Sequence, residues 1–452
     1  MKFEVSVYRK KYFLFRAKDY CSLMRPCFVI SCILGVFPYH VTPTSLSISK
    51  FGYIYTTFVT GLYVVHVFIV LYQTDVSRIL KYDSVPGMLQ GNFYFILGTA
   101  VAVTTYYNIH RRLLFLQQLY LVASRLPSET FNKLSKYIHT KDIFGFLFLI
   151  GQMPNILNRS LVLTLSKCSL LYATLIVFIM DMLYMNCTCI IKECFIRINK
   201  NLENLQRVVV TGEPHLLRRV YHEKRNPLLL IELKAIKMRH QQVSDVLQQL
   251  NSTFGSQIII TSLMTFAEVT FSLYFYILQT IDKKEINLEK QIWYSYFITS
   301  IAYYSIKLGL IAWACETAKN EAAEVGIRIH EVVINTTDKD IKNEVKRPPQ
   351  KVHSFDYTLS MLQLQLFSLQ VLHRDNTFTS KGLTMDASLV TTVRIIILIN
   401  RRKHYNVSVD SNTIPDFLTL VQTQQRNQRN ILTRENQSEK TDDGTSCQTV
   451  HP

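Results

Sequence analysis

The residues best placed to do chemistry are charged side chains standing inside long apolar runs. Asp181 lies within residues 168–191, Glu268 within 254–281, Lys307 within 291–314, and Asp386 and Arg394 within 383–399. A charge at the centre of an apolar helix costs about 3 kcal/mol on insertion scales, so it is retained for function or held by a partner. For Asp181 and Glu268 both readings are open: a carboxylate facing a wet ligand cavity, or one that is paired or protonated for structural reasons. Lys307 lies toward one end of its run and reads as a lysine that snorkels. His66 reads as a packing histidine.

Aromatic residues gather at two neighbouring ends of these runs. Phe271, Tyr274, Phe275 and Tyr276 close one, Trp293, Tyr294, Tyr296 and Phe297 open the next, and Tyr172 lies in a third. They form either the wall of an apolar ligand pocket or an interfacial aromatic belt. The candidate ligand-binding residues are therefore Tyr172, Asp181, Phe271, Tyr274, Trp293 and Phe297. No glycine-rich phosphate loop, nucleophile elbow or zinc-spaced histidine pair is present, so an enzyme is not expected, nor a metal or cofactor. The nine cysteines include no zinc-spaced pair of pairs, and Cys187 and Cys189 read as packing residues.

The elements that must position these residues are membrane spans. A bilayer core needs about 20 apolar residues in a helix that satisfies its own backbone. The runs at 51–74, 87–110, 143–158, 168–191, 254–281 and 291–314 give six spans, and 383–399 a doubtful seventh. The third is short and interrupted by Pro154, so it must borrow from 131–140. Residues 27–39 are apolar but too short to cross, and read as an interfacial or buried helix before the first span. The fold class is thus all-α, a polytopic transmembrane helix bundle of seven expected spans with the seventh degenerate.

The net charge of +17, from 50 Lys+Arg against 33 Asp+Glu, follows the loops rather than forming a nucleic-acid patch. Basic residues crowd the segment before span 1 and the loops after spans 2 and 4, which places the amino terminus in the cytoplasm. The expected division is a cytoplasmic segment at 1–50, spans 1–6 at 51–314 with a long cytoplasmic loop at 192–250, cytoplasmic helices at 315–382, the seventh span at 383–400, and a polar tail at 401–452 with the composition of disorder. The loop's apolar residues recur at helical spacing, as in extensions of spans 4 and 5 or a helix lying on the membrane surface. The sequon at Asn158 falls in an external loop and is the glycosylation candidate, whereas that at Asn335 is expected to stay unused.

Several segments resemble the insect gustatory receptors, which share a superfamily with insect odorant receptors. They are Met24-Arg25-Pro26-Cys27-Phe28 with Leu34-Gly35-Val36-Phe37-Pro38-Tyr39, Asn251-Ser252-Thr253-Phe254-Gly255, and Cys315-Glu316 with Glu321-Ala322-Ala323 and Ile329-His330. Phe367-Ser368-Leu369-Gln370-Val371-Leu372-His373-Arg374 with Phe378-Thr379-Ser380-Lys381-Gly382-Leu383-Thr384-Met385-Asp386 is similar to the approach to that family's last helix, in the form of its bitter-, heat- and light-responsive subgroup. The resemblance implies a multi-pass plasma-membrane receptor. Its chains form a homo- or hetero-tetrameric cation channel with other gustatory receptors, opened by small-molecule tastants and lined by four copies of the last helix. Asp386, Arg394, Ile395 and Leu398 are then the pore or gate candidates, with Asp386 read as cation-facing or as a helix-start cap.

The sequence departs from the family after Val393. The expected Thr-Tyr and Gln-Phe pairs are absent, and Arg394 begins Ile395-Ile396-Ile397-Leu398-Ile399-Asn400. This points to a splice variant, a retained intron, an error in the gene model or true divergence. Four copies of Arg394 around a pore would oppose cation entry, so a non-conducting isoform is one expectation. The competing readings are a heptahelical G-protein-coupled receptor, which requires an external amino terminus, and a secondary transporter, for which no internal repeat is visible.

Overall fold

Local capping starts the first helix. Asp19 Oδ1 accepts from the Ser22 N–H at 2.8 Å and Ser22 Oγ accepts from the Asp19 N–H at 3.2 Å, a capping box before α1 (Tyr20–Ile33). Gly35, at φ 70°, turns the chain after it, where its missing Cβ would lie 3.3 Å from the Val59 side chain. The helix expected at 27–39 thus begins earlier and ends at Ile33. The residues after the turn instead enter β1 (Tyr39–Val41), antiparallel to β2 (Leu46–Ile48) with Tyr39 opposite Ile48. The computed structural model describes residues 14–42, 46–77, 79, 85–151, 161–210, 218–281, 288–344, 370, 376–380 and 383–384.

Ser49 caps α2 (Lys50–Asp75) by accepting from the Gly52 N–H at 3.2 Å. Thr56, Tyr63, Val67, Val70 and Thr74, at steps of seven, four, three and four, form its buried stripe. Ile54, Phe58, Leu62, Val65, Phe68 and Tyr72 face outward. An apolar face this continuous has a matching solvent in hydrocarbon. Next come α3 (Val85–Tyr107), α4 (Ile109–Ala123) and α5 (Ser128–Gly151). Span 2, expected to run to residue 110, breaks at Asn108, whose ψ of 12° interrupts the helix.

The last three helices are far longer than a bilayer requires. α6 (Leu161–Val210), α7 (Arg218–Ile281) and α8 (Leu288–Glu344) have 50, 64 and 57 residues. At 1.5 Å per residue they span roughly 75 Å or more, against a core of roughly 30 Å. Leu233, Ile236, Val243, Leu247 and Leu250 are buried, so this part of α7 packs against protein rather than lying on a membrane surface. Among the described residues, four helices, α2, α6, α7 and α8, are long and apolar enough to cross a membrane. α3 and α5 have 23 and 24 residues, and both carry polar side chains in their first turns. α5 spends its first turns on Glu129, Lys133 and Lys136, and α3 carries Gln90 and Asn92.

α6 is the centre of the described bundle and packs against the other seven helices among the described residues. α3 and α5 approach it most closely at glycines. A Cβ on Gly98 would stand 2.9 Å from Ala173 Cβ, and one on Gly145 would stand 2.6 Å from the Phe178 ring. Cys187 and Cys189 are buried on α6, and all eight described cysteines are free thiols. Burial raises the Cys21 thiol on α1 to about 11, with Asp19 adding to the shift, so it stays protonated.

Beyond α8 a small hairpin of β3 (Thr379–Ser380) and β4 (Leu383–Thr384) rests on α7. Phe378 is buried, Asn251 Nδ2 donates to the Thr377 carbonyl at 2.8 Å, and the amides of Gln370 and Asn376 lie 3.4 Å from the two ring nitrogens of His240. The motif around Asn251 therefore holds the segment around Phe378. The chain divides into Met1–Arg394 and Ile395–Pro452. The second unit lies outside the described residues, as does the seventh-span candidate from residue 385 onward.

Candidate functional site

Asp181, Glu268 and Lys307 meet where α3, α6, α7 and α8 pack together. Lys307 Nζ on α8 lies 3.0 Å from Asp181 Oδ2 on α6, with side chains 3% and 0% exposed. Lys307 therefore does not snorkel, and its expected role is corrected. α8 continues well past Ala314, so the lysine is far from a helix end and its charge is met inside the bundle. Its ammonium also lies 5.5 Å above the Tyr304 ring, within cation–π range. Glu268 on α7 is buried, and Gln90 Nε2 on α3 donates to its Oε2 at 3.0 Å.

Tyrosines close the space around these charges. The Tyr94 hydroxyl on α3 lies 3.5 Å from that of Tyr304 and bonds to the Thr174 hydroxyl on α6. Tyr303 packs edge-on against Tyr304 with centroids 5.1 Å apart, and stacks on Phe148 of α5 at 5.6 Å and 10°. Five helices thus contribute to one buried polar, aromatic cluster.

A second buried cation marks the α3–α4 break. Arg112 on α4 is 1% exposed and donates to the carbonyls of Thr105 at 2.6 Å and Val36 at 3.2 Å, with its guanidinium 6.0 Å from the Phe254 ring centroid. Tyr39 donates to the Ile109 carbonyl at 2.5 Å. Burial pushes the Tyr39 phenol up to about 12 and the Arg112 guanidinium down, and each opposes the other's shift. The arginine accounts for carbonyls that the break exposes.

The sequence candidates do not all converge. Asp181 lies in the cluster. Tyr172 donates to the Leu34 carbonyl at 2.9 Å and packs against Tyr63 at 5.1 Å. Phe271 is half-buried, and Tyr274 is 46% exposed and contacts Phe275 edge-on, as a belt residue would. The side chains of Trp293 and Phe297 lie outside the described residues, as do Asp386, Arg394, Ile395, Leu398 and Asn158. Sequence reasoning missed Gln90, Tyr94, Phe148, Tyr303 and Tyr304. One signal was available: Thr174 and Asp181, Thr261 and Glu268, and Ser300 and Lys307 are each seven residues apart, placing two polar groups on one face of α6, α7 and α8.

A bundle with lipid-like faces outside and a buried ion pair inside is a polytopic α-helical membrane protein. The chain belongs to the 7tm chemosensory receptor family, whose profile matches residues 24–393. Its fold is similar to that of the olfactory receptor OR5 from the insect Machilis hrabei, with a TM-score of 0.54 at 11% identity over 83% of this chain and 95% of that one. The same receptor in complex with eugenol gives 0.52 at 12% identity, over 85% and 98% of the two chains. Sequence comparison with curated proteins gives no match. The family resemblance read from the motifs stands at the level of insect chemosensory receptors, and membership of a receptor family agrees with the exclusion of an enzyme.

Proposed function

We propose that this chain is a gustatory subunit of a ligand-gated cation channel that detects small molecules at the plasma membrane, with seven spans, a cytoplasmic amino terminus and a tetrameric assembly with itself or other gustatory receptors. The observation that carries this reading is the buried cluster of Asp181, Glu268, Lys307 and tyrosines, built at a junction of several helices within a chemosensory-receptor fold. Charges held inside a membrane bundle at a helix junction mark a functional site. A ligand entering such a junction alters how the helices pack. A ligand that binds the open packing more tightly shifts the population toward it. The eugenol-bound relative supports a small organic molecule as the ligand class.

The extent to which this chain conducts rests on Arg394. Four such residues around a pore would repel cations, and the chain as it stands would be a non-conducting isoform. Expression in oocytes with a tastant panel tests both ideas. The expected result is ligand-evoked cation current after residues 394–452 are replaced by a family-like last helix, and little or none before. Absence of current in both forms would sink the channel reading. Epitope tags at both ends, probed on intact cells, test orientation: an accessible amino-terminal tag would favour the G-protein-coupled alternative. A mobility shift on glycosidase treatment, lost in N158Q, would place Asn158 outside.

A further inference from the structure

Carboxyl groups outnumber cationic side chains in the cluster. Two buried carboxylates, Asp181 and Glu268, accompany one buried ammonium, Lys307. Arg112, the other fully buried cation, is committed to the Thr105 and Val36 carbonyls. The Thr261 hydroxyl, which donates to the Ile258 carbonyl at 3.2 Å, also neighbours the Asp181 carboxylate. Glu268 receives one amide N–H, from Gln90. Lys307 Nζ sits as a ligand's ammonium would, 3.0 Å from a carboxylate oxygen and over the Tyr304 ring, with Tyr303 and Tyr94 continuing the aromatic wall. A second carboxyl group paired with an amide instead of a cation, and a wall of tyrosine rings, are groups that hold an organic ammonium ion.

We infer that the cluster is the seat of a protonated organic amine, and that Lys307 is the tethered cation which the amine displaces from Asp181 and the Tyr304 face. This deepens the receptor reading of the same site and rests on it. With the amine bound, two ammonium groups meet two carboxylates and the buried charge balances. Without it, the partner of Glu268 is the neutral Gln90 amide. A neutral molecule of the same size lacks this advantage and leaves Lys307 in place.

Binding to the purified full-length chain in detergent tests the inference without requiring a current. The probes are phenethylamine, protonated at neutral pH, and 2-phenylethanol, a neutral molecule of equal size. Phenethylamine is expected to raise the melting temperature of the native chain and 2-phenylethanol is not. E268Q, which keeps the shape and the Gln90 contact, is expected to weaken amine binding at least tenfold, and E268D to retain most of it. K307M empties the seat, so ethylammonium alone is expected to raise the melting temperature of that variant. Equal shifts with amine and alcohol, unchanged amine binding in E268Q, or no ammonium effect on either the native chain or K307M would each overturn the proposal. Amine binding without current, even with a family-like last helix in place of residues 394–452, would sink the channel reading and leave the seat. Currents evoked by neutral tastants alone, with no ammonium binding, would do the reverse.

Discussion

Removing one partner of a buried ion pair strands the other charge at a cost of about 3–5 kcal/mol, whereas replacing both with apolar side chains is often neutral. Asp181→Asn or Lys307→Met alone is therefore expected to lower stability by about that much, and D181L/K307M to recover most of the loss. Thermal melts of the three variants in detergent form the cycle, and a double variant no better than the singles would rule out the pair as the unit of stability. Gly145→Ala brings a Cβ to 2.6 Å from Phe178 and should cost about 1–3 kcal/mol, while Gly309→Ala meets nothing within 4 Å and should be neutral or slightly stabilising in the same assay. Asp181 was legible in the sequence as a charge that must be explained, because its run holds no other. Its partner was not. Lys307 looks like a snorkelling residue only if its helix ends near residue 314, and α8 runs on to Glu344. The tyrosines were hidden for a related reason: which face of α3 or α8 turns inward depends on helix rotation, and an apolar run that is hydrophobic all round does not declare it.

The elements were easier to read than their contacts. Charge-poor windows located α2, α6, α7 and α8, and helical spacing in 192–250 anticipated the extensions of α6 and α7. The break at Asn108 gave no signal, since neither proline nor glycine lies there. It is held by tertiary bonds: Asn108 Nδ2 donates to the Thr253 carbonyl at 3.3 Å, and Arg112 takes the Thr105 carbonyl. The motif around Asn251 was visible as a pattern, but its job appears only in space, where it fastens residues 376–380 to α7. Asn251→Ala removes that bond and is expected to cost about 1 kcal/mol. Hydrogen exchange should show faster exchange across 376–380 with α6 unchanged, and uniform loosening of the bundle would count against a local fastening.

For the whole molecule, the central place of α6 sets a schedule. Asp181 is synthesised roughly 130 residues before Lys307, and at roughly 5–20 residues per second its carboxylate waits on the order of ten seconds for a counter-charge. During that interval α6 has its earlier partners α1 to α5 but lacks α8, and with it the counter-charge of Asp181. The nascent chain must be shielded meanwhile, by the insertion machinery or by a membrane chaperone, and quality control has a test it can apply: whether α8 has arrived. A chain truncated after Ile281 is expected to be degraded several-fold faster than the full chain in a pulse-chase, and D181L in the truncated chain to slow that loss. Equal lifetimes for the two truncated chains would show that the waiting charge is not what is recognised. The ion pair that marks the site is thus also a checkpoint in time, closed only when the last of the long helices has been made.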